Sequence, residues 1–167
     1  MIEEILDLVD QNNQVTGQLS KAQVHAQELT NFRAIDAFLI NDQGQLWIPR
    51  RTKTKKLFPL FLDSSVGGHV SAGESYDQAF IRELQEELNI DASTLTYKMI
   101  GSMTPHKHGT VGFLHVYVIH TNQTPDYKTD DFCEAFWLTP QELAAKLASG
   151  DQGKSNLIKI VRHFFIH

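Results

Sequence analysis

The sequence has a single cysteine, Cys133, among its 167 residues. One cysteine cannot form an intrachain disulfide, and it excludes zinc sites that are built from paired cysteines. The sequence also lacks any apolar run near the roughly 20 residues that a membrane-spanning helix requires. Its N-terminus, MIEEILDLVD, lacks the basic stretch and apolar core of a secretory signal. We therefore expect a cytoplasmic protein without a membrane partner.

An excess of positive charge is absent as well. Lys and Arg number 15 against 20 Asp and Glu, which gives a formal net charge of -5. A chain of this charge is not expected to bind a nucleic acid polymer, although a nucleotide held through a metal ion stays open. Hydrophobic residues make up 41% and charged residues 21%, as in ordinary globular proteins. The length suits a single domain, residues 1–167, with a sizeable core.

The richest local signals lie in residues 68–90, which read GHVSAGESYDQAFIRELQEELNI. Ser75 followed by Gln78 is the pattern of a capping box, so a helix is predicted to start just after Ser75. Asn89 is a suitable helix end, because asparagine tolerates the left-handed backbone region. The segment therefore predicts a glycine-containing loop that runs into a helix.

Three glutamates of this helix, Glu83, Glu86 and Glu87, stand at i, i+3 and i+4 and so share one face. Like charges at this spacing destabilise a helix by a few tenths of a kcal/mol per pair. A solvated acidic face is one interpretation. The other is a site for a hard cation such as Mg²⁺, which prefers oxygen ligands. The glycine-rich loop ahead of the helix favours the cation site, because glycine lets the backbone approach a metal or a phosphate closely.

A different face of the same helix is apolar. At about 100° per residue, Ile81, Leu84 and Leu88 fall together. We expect this face to pack on a sheet.

The rest of the chain alternates predicted strands with a few helices. Strands are predicted at residues 5–10, 34–41, 45–50, 95–103, 111–120 and 132–138, and helices at 20–28, from 140 onwards and at 157–165. Residues 57–62 and 104–109 are predicted to be loops. This order of elements indicates an α/β fold in which helices cover a mixed sheet.

The one strongly basic segment is residues 50–56, RRTKTKK. A solvated loop is the ordinary interpretation of such a charge run. Its place immediately before the acidic loop and helix favours a second one, in which cations hold phosphate oxygens. Arg50 and Arg51 are the better substrate-binding candidates, because they lie at the end of a predicted strand.

The segment 68–90 resembles the signature box of the Nudix hydrolases. The matching residues are Gly68, Glu74, the run Arg82-Glu83-Leu84-Gln85-Glu86-Glu87 and Ile90. The similarity covers roughly residues 34–147. Asn89 stands where that family usually has glycine, and both residues suit a helix end. The resemblance implies an α/β/α sandwich with a mixed sheet, and a helix of the box packed against that sheet.

The resemblance also implies a reaction, the Mg²⁺- or Mn²⁺-dependent hydrolysis of a small pyrophosphate, such as a nucleoside diphosphate linked to another group. Glu83 and Glu87 would be the principal metal ligands. Glu86 would be a further ligand or a bridging group, and the Gly68 carbonyl another oxygen ligand. Arg82 would orient one of these glutamates rather than touch substrate. Dimerisation is common in the family, although no residue pattern here indicates a homodimer.

Two carboxylates outside this helix complete the implied site. Glu74 is either a group that supports the metal ligands or an ordinary loop carboxylate. Glu134 occupies a position where many Nudix members carry a general base, with Asp130 and Asp131 as weaker alternatives.

Two other functions stay open. The N-terminal layout, with His25 and His69, is similar to that of isopentenyl-diphosphate isomerase, and His69 matches an isomerase metal ligand. That enzyme, however, has a catalytic cysteine where this chain has Gly67. A catalytically silent ligand sensor with the Nudix fold is the other alternative, but such proteins usually lose carboxylates that this chain keeps.

Overall fold

The computed structural model describes residues 2–167, so Met1 of the expected 1–167 domain lies outside the described residues. The chain begins with an antiparallel hairpin of β1 (Ile5–Val9) and β2 (Val15–Ser20). Helix α1 (Lys21–Ala26) follows directly, and Ser20 caps it by accepting a hydrogen bond from the Gln23 amide. The predicted strand at residues 5–10 and the predicted helix at 20–28 are confirmed.

A six-stranded mixed sheet forms the centre of the molecule, in the order β6-β7-β3-β4-β8, with β5 also paired to β3. Its neighbours are antiparallel except β3 and β7, which run parallel. The six strands are β3 (Arg33–Ile40), β4 (Leu46–Arg51), β5 (Val66–His69), β6 (Thr96–Met103), β7 (Phe113–His120) and β8 (Phe132–Leu138). They confirm the five predicted strands between residues 34 and 138 and add β5, which was not predicted.

Strand β3 changes partner along one edge. It meets β4 only at its C-terminal end, through Ile40 and Leu46, whereas β5 pairs with its N-terminal half. Ser65 fills the gap between the two partners: its hydroxyl accepts from the Leu39 amide at 2.9 Å and donates to the Trp47 carbonyl at 2.5 Å. Because a buried backbone group needs a partner, this hydroxyl replaces the missing ladder bonds. The short strand β5 thereby lies beside β3, with the segment before it turned towards β4.

Helices cover both faces of the sheet. Helix α2 (Tyr76–Leu88) packs on one face, and α4 (Pro140–Ala148) and α5 (Leu157–Phe164) pack on the other. Alternation along β3 divides the two cores: Ile35 and Leu39 face α2, whereas Phe38 faces α4 and α5. The predicted α/β/α sandwich is confirmed. No helix within residues 2–167 is both long and apolar enough to cross a membrane.

Both predicted ends of α2 are confirmed. The Gln78 amide donates to the Ser75 hydroxyl at 3.1 Å, and the Ser75 amide donates back to the Gln78 side chain at 2.9 Å. Asn89 ends the helix with a positive φ of 54°. Local sequence signals sufficed here, because every partner of these caps lies within five residues.

The prediction that Ile81 packs on the sheet is wrong. Its side chain is 44% exposed, whereas Phe80, Leu84 and Leu88 are buried. Phe80 stacks on Tyr117 of β7, with ring centroids 4.3 Å apart and an interplanar angle of 7°. The buried stripe of α2 is centred between Phe80 and Leu84, so Ile81 lies at its margin.

Residues 104–109 were predicted to be a loop, and this prediction is also wrong. They contain the single-turn helix α3 (Pro105–His108), for which Thr104 is the cap and Gly109, with φ of 68°, the end. Thr139 and Pro140 start α4 in the same way. One turn contains too few residues for a periodic pattern to reveal it.

Candidate metal-binding and hydrolytic site

Arg82, on α2, connects the helix to the loop that precedes it. Its guanidinium donates to both carboxylate oxygens of Glu74, at 2.8 and 2.9 Å, and to the His69 carbonyl at 3.1 Å. The hydrogen bond from Arg82 lowers the pKa of Glu74, and the Ser71 amide, which donates to Glu74 at 3.1 Å, lowers it further. Glu74 is therefore the partner that holds Arg82, as the supporting interpretation of Glu74 predicts.

The same guanidinium reaches Glu83, to which Arg82 donates at 2.8 Å. The Glu83 side chain is only 14% exposed. Burial raises the pKa of Glu83, while the hydrogen bond and charge of Arg82 oppose the rise. Arg82 is thus hydrogen-bonded to this carboxylate, and its role in orienting a metal ligand stays a prediction.

Glu87 lies one turn further along α2 and contacts Glu83. Loss of hydration raises the pKa of Glu87 well above its ordinary value, and the charges of Glu83 and Asp63 raise it further. Glu83 and Glu87 are thus neighbouring carboxyls on the side of α2 that is largely shielded from solvent. Two carboxyls held this close repel each other when both are ionised, and a cation between them would remove the repulsion.

Gly68 of β5 lies directly against the Glu83 carboxyl. A Cβ built at this glycine collides with the Glu83 side chain. The absence of a side chain therefore leaves the β5 backbone next to the Glu83–Glu87 pair. The close approach that was expected, of this backbone to a metal or a phosphate, stays a prediction.

Glu86 is set apart from the pair. Its side chain is 58% exposed, and its nearest cation is Arg82 at 3.4 Å. Within residues 2–167, no three Asp, Glu, His or Cys side chains are arranged around a common point as metal ligands would be. The residues nevertheless fit a hard divalent cation. The Glu83 and Glu87 carboxyls, with the backbone carbonyl of Gly68 beside them, are the kind of oxygen ligands that Mg²⁺ and Mn²⁺ prefer.

Arg50, a predicted substrate-binding residue, is surrounded by acceptors. It donates twice to Asp151, at 2.8 and 2.9 Å, once to Glu134 at 2.6 Å and once to the Leu60 carbonyl at 3.0 Å. These contacts raise the pKa of Arg50 and lower that of Asp151. Glu134, the predicted base, is about half exposed on β8 beside Arg50.

Arg51 is engaged in the same way. It donates to Asp63 at 3.1 Å and to the Leu57 carbonyl at 3.2 and 3.0 Å. Of the weaker base candidates, Asp131 pairs with Lys55 at 2.7 Å. Whether Arg50 or Arg51 contacts substrate stays a prediction, and each would have to exchange an acceptor for phosphate.

Three charged residues close to this region were not predicted. Asp36, in the otherwise apolar β3, accepts from the Ser64 hydroxyl at 2.7 Å, and burial raises its pKa from 3.8 to about 7. Asp63 is buried, and the Lys154 ammonium lies 3.9 Å from it. A lone acidic residue in an apolar strand is a usable signal for Asp36. Lys154 lies in a polar loop and carries no comparable signal.

His25 and His69, the two histidines shared with the isomerase layout, do lie together. Their ring centroids are 5.2 Å apart, and Phe32 packs on His69 at 5.1 Å. Burial lowers the pKa of His69 to about 3. The isomerase thiol has no counterpart, because Gly67 lies on β5 whereas Cys133 is exposed on β8.

Comparison with known proteins adds four findings. The family model described as NUDIX domain matches residues 30–159. An uncharacterized Nudix hydrolase of Nostoc sp. is 46% identical over 97% of this chain and 96% of its own length. The crystal structure of DR0079 from Deinococcus radiodurans matches with a TM-score of 0.93 at 41% identity, covering 97% of this chain and 99% of that one. An isopentenyl-diphosphate Delta-isomerase of Salmonella arizonae is 34% identical over 58% of this chain and 53% of its own length.

Proposed function

Because this chain belongs to the Nudix hydrolases, enzymes that act on pyrophosphate bonds, we propose that it hydrolyses a nucleoside diphosphate derivative or a related small pyrophosphate with Mg²⁺ or Mn²⁺. The strongest support is the contact between Glu83 and Glu87 beside Gly68. A structural helix gains nothing from two partly buried carboxyls in contact, whereas a cation site needs them.

Glu83, Glu87 and the Gly68 carbonyl would hold the cation, with Glu86 as a further ligand or as a bridge between two cations. When bound, the cation neutralises the charge of the pyrophosphate and lowers the pKa of a coordinated water. Arg82 keeps Glu83 in place through its own attachment to Glu74.

Glu134 would take the proton from the attacking water as a general base. Arg50 holds the Glu134 carboxylate at 2.6 Å, which restricts its orientation. Arg50 and Arg51 would contact the phosphates that the cation does not reach.

The test is a panel of nucleotide-sugars, dinucleoside polyphosphates, NADH and nucleoside triphosphates, incubated with the protein and Mg²⁺ or with EDTA. We expect hydrolysis of at least one pyrophosphate with Mg²⁺ and none with EDTA. Glu83→Gln should abolish the same turnover, whereas Glu142→Gln, on the exposed start of α4, should leave it intact.

Two further measurements, of cation binding and of activity on isopentenyl diphosphate, separate the alternatives. Cation binding without turnover of any pyrophosphate would favour a ligand sensor. Conversion of isopentenyl diphosphate to dimethylallyl diphosphate would favour the isomerase function. The isopentenyl-diphosphate Delta-isomerase of Salmonella arizonae aligns with 58% of this chain. The histidine pair is the feature of the structure that such an isomerase would use.

A further inference from the structure

The loop between α4 and α5 is joined to the segment that precedes β5. Leu62 donates to the Gln152 carbonyl at 2.8 Å, and the Lys154 amide donates back to the Leu62 carbonyl at 2.9 Å. Leu62 and Gly153 form a parallel bridge. Asp151, in the same loop, is bound twice by Arg50. This loop, distant in sequence, is therefore fixed at the edge of the candidate site.

The Lys154 ammonium lies 3.9 Å from the buried Asp63 carboxylate. The residue after Asp63, Ser64, donates to Asp36 of β3 at 2.7 Å, and Asp36 lies against Gly67, next to the Gly68 that touches Glu83. Lys154 is therefore held at the acidic segment that leads into the candidate site. Its side chain is 37% exposed, so it is accessible from solvent.

Lys154 differs from the neighbouring arginines in having no committed acceptor. Its nearest carboxylate oxygen belongs to Asp63 and is 3.9 Å away, beyond hydrogen-bonding distance. Asp63 already accepts from Arg51 at 3.1 Å and from the Ser64 amide at 2.8 Å. Within residues 2–167 the Lys154 ammonium makes no hydrogen bond, so its three donors are available to a ligand.

We propose that the Lys154 ammonium binds phosphate oxygens of the pyrophosphate substrate at the Glu83–Glu87 pair, a role that rests on the function proposed above. Lysine binds phosphate as a compact point charge that needs no fixed fork geometry. Unlike Arg50 and Arg51, Lys154 would not have to give up a carboxylate partner to do so. Lys154 is thereby the cation most readily available to a phosphate at this site.

The test measures binding rather than turnover. The probe is methylenediphosphonate, a pyrophosphate analogue that cannot be hydrolysed, titrated calorimetrically in excess Mg²⁺. Lys154→Met should weaken probe binding about tenfold or more, as expected for the loss of a charge-assisted hydrogen bond. Lys154→Arg keeps the charge and should stay within about threefold of wild type. The control is Lys98→Met, because Lys98 is exposed on β6 and has no acidic partner within residues 2–167.

A second titration with Mn²⁺ alone separates this role from a structural one. Removing the positive charge beside Asp63 should leave Mn²⁺ affinity unchanged or make it about twofold tighter. A variant that is merely misfolded would lose affinity for both Mn²⁺ and the probe. Equal losses of Mn²⁺ affinity and probe affinity in Lys154→Met would therefore overturn the role of Lys154. Probe binding by Lys154→Met within twofold of wild type would overturn it as well, and so would the absence of probe binding by the wild type.

The two proposals fail in different ways. If the wild type hydrolyses a pyrophosphate and Lys154→Met binds the probe normally, only the role of Lys154 is wrong. If Lys154-dependent probe binding is found without turnover of any pyrophosphate, the binding role stands and the hydrolytic function is wrong.

Discussion

Glu74 and Arg82 form a two-pronged ion pair, with both carboxylate oxygens bound at 2.8 and 2.9 Å. Eight positions separate the two residues, and the pair ties the loop before α2 to the middle of that helix. Arg82 uses its remaining donors on Glu83, on Glu86 at 3.4 Å and on the His69 carbonyl. The position of the proposed metal ligand Glu83 therefore depends on a residue that is not itself a ligand.

We expect Glu74→Gln and Arg82→Lys to be strongly non-additive. Each change alone breaks the two-pronged geometry, so each should lower kcat about tenfold, and the double variant should be little worse than either single one. A double-mutant cycle on kcat and on thermal stability measures this, with a coupling of about 1–2 kcal/mol expected in stability. Additive effects would show that the pair does not act as a unit.

Replacing Gly68 by alanine should damage the site without unfolding the protein. The new methyl group would collide with the Glu83 carboxyl and displace it from Glu87. We expect Mn²⁺ affinity to fall by roughly tenfold or more, in keeping with displacement of a ligand. Gly17→Ala is the matched control, because a Cβ there meets nothing within 4 Å. Normal Mn²⁺ binding by Gly68→Ala would contradict the close approach of β5 to Glu83.

Asp36 should make the metal-free protein less stable as the pH rises. Its pKa is raised by burial from 3.8 to about 7, so the folded state binds a proton that the unfolded state has already released between these values. Stability is therefore lost as the pH rises from about 4 to about 7, by about 4 kcal/mol for a pKa difference of about three units.

Asp36→Asn removes this proton uptake and keeps an acceptor for the Ser64 hydroxyl. We expect the unfolding free energy of this variant to rise relative to that of wild type between pH 4 and pH 7, because only the wild type loses stability there. Urea denaturation in EDTA measures both values. A difference that does not change with pH would show that Asp36 titrates in its ordinary range.

Glu134→Gln tests the proposed general base. Loss of a general base should lower kcat by about 10²- to 10⁴-fold with a much smaller change in KM. The amide can still accept from Arg50, so the local structure should persist. Kinetics on the substrate found in the panel would decide, with Asp130→Asn as the comparison, and retention of normal kcat by Glu134→Gln would move the base to another residue.

Local patterns predicted much of this fold, because caps and alternation depend on near neighbours. Ser75, Gln78 and Asn89 delimited α2 correctly for that reason. Ile81 was misplaced, because the stacking of Phe80 on Tyr117 joins residues that are distant in sequence.

The candidate site shows the same division between local and distant contacts. The clustering of glutamates on one face of α2 was visible from their spacing. The partners of Arg50 were not, since Asp151 is 101 positions away. The loop that carries Lys154 is held at the site by Leu62 and Arg50, which lie far away in the sequence and leave no local pattern.

The most direct test of the account is Mn²⁺ binding by Glu87→Gln, followed by electron paramagnetic resonance in the absence of substrate. If Glu83 and Glu87 hold the cation, this variant should bind Mn²⁺ at least about tenfold more weakly than wild type. Glu142→Gln makes the same change of charge at an exposed position of α4 and should bind Mn²⁺ as tightly as wild type. Equal Mn²⁺ affinity for Glu87→Gln and wild type would contradict the metal site and the hydrolytic function built on it.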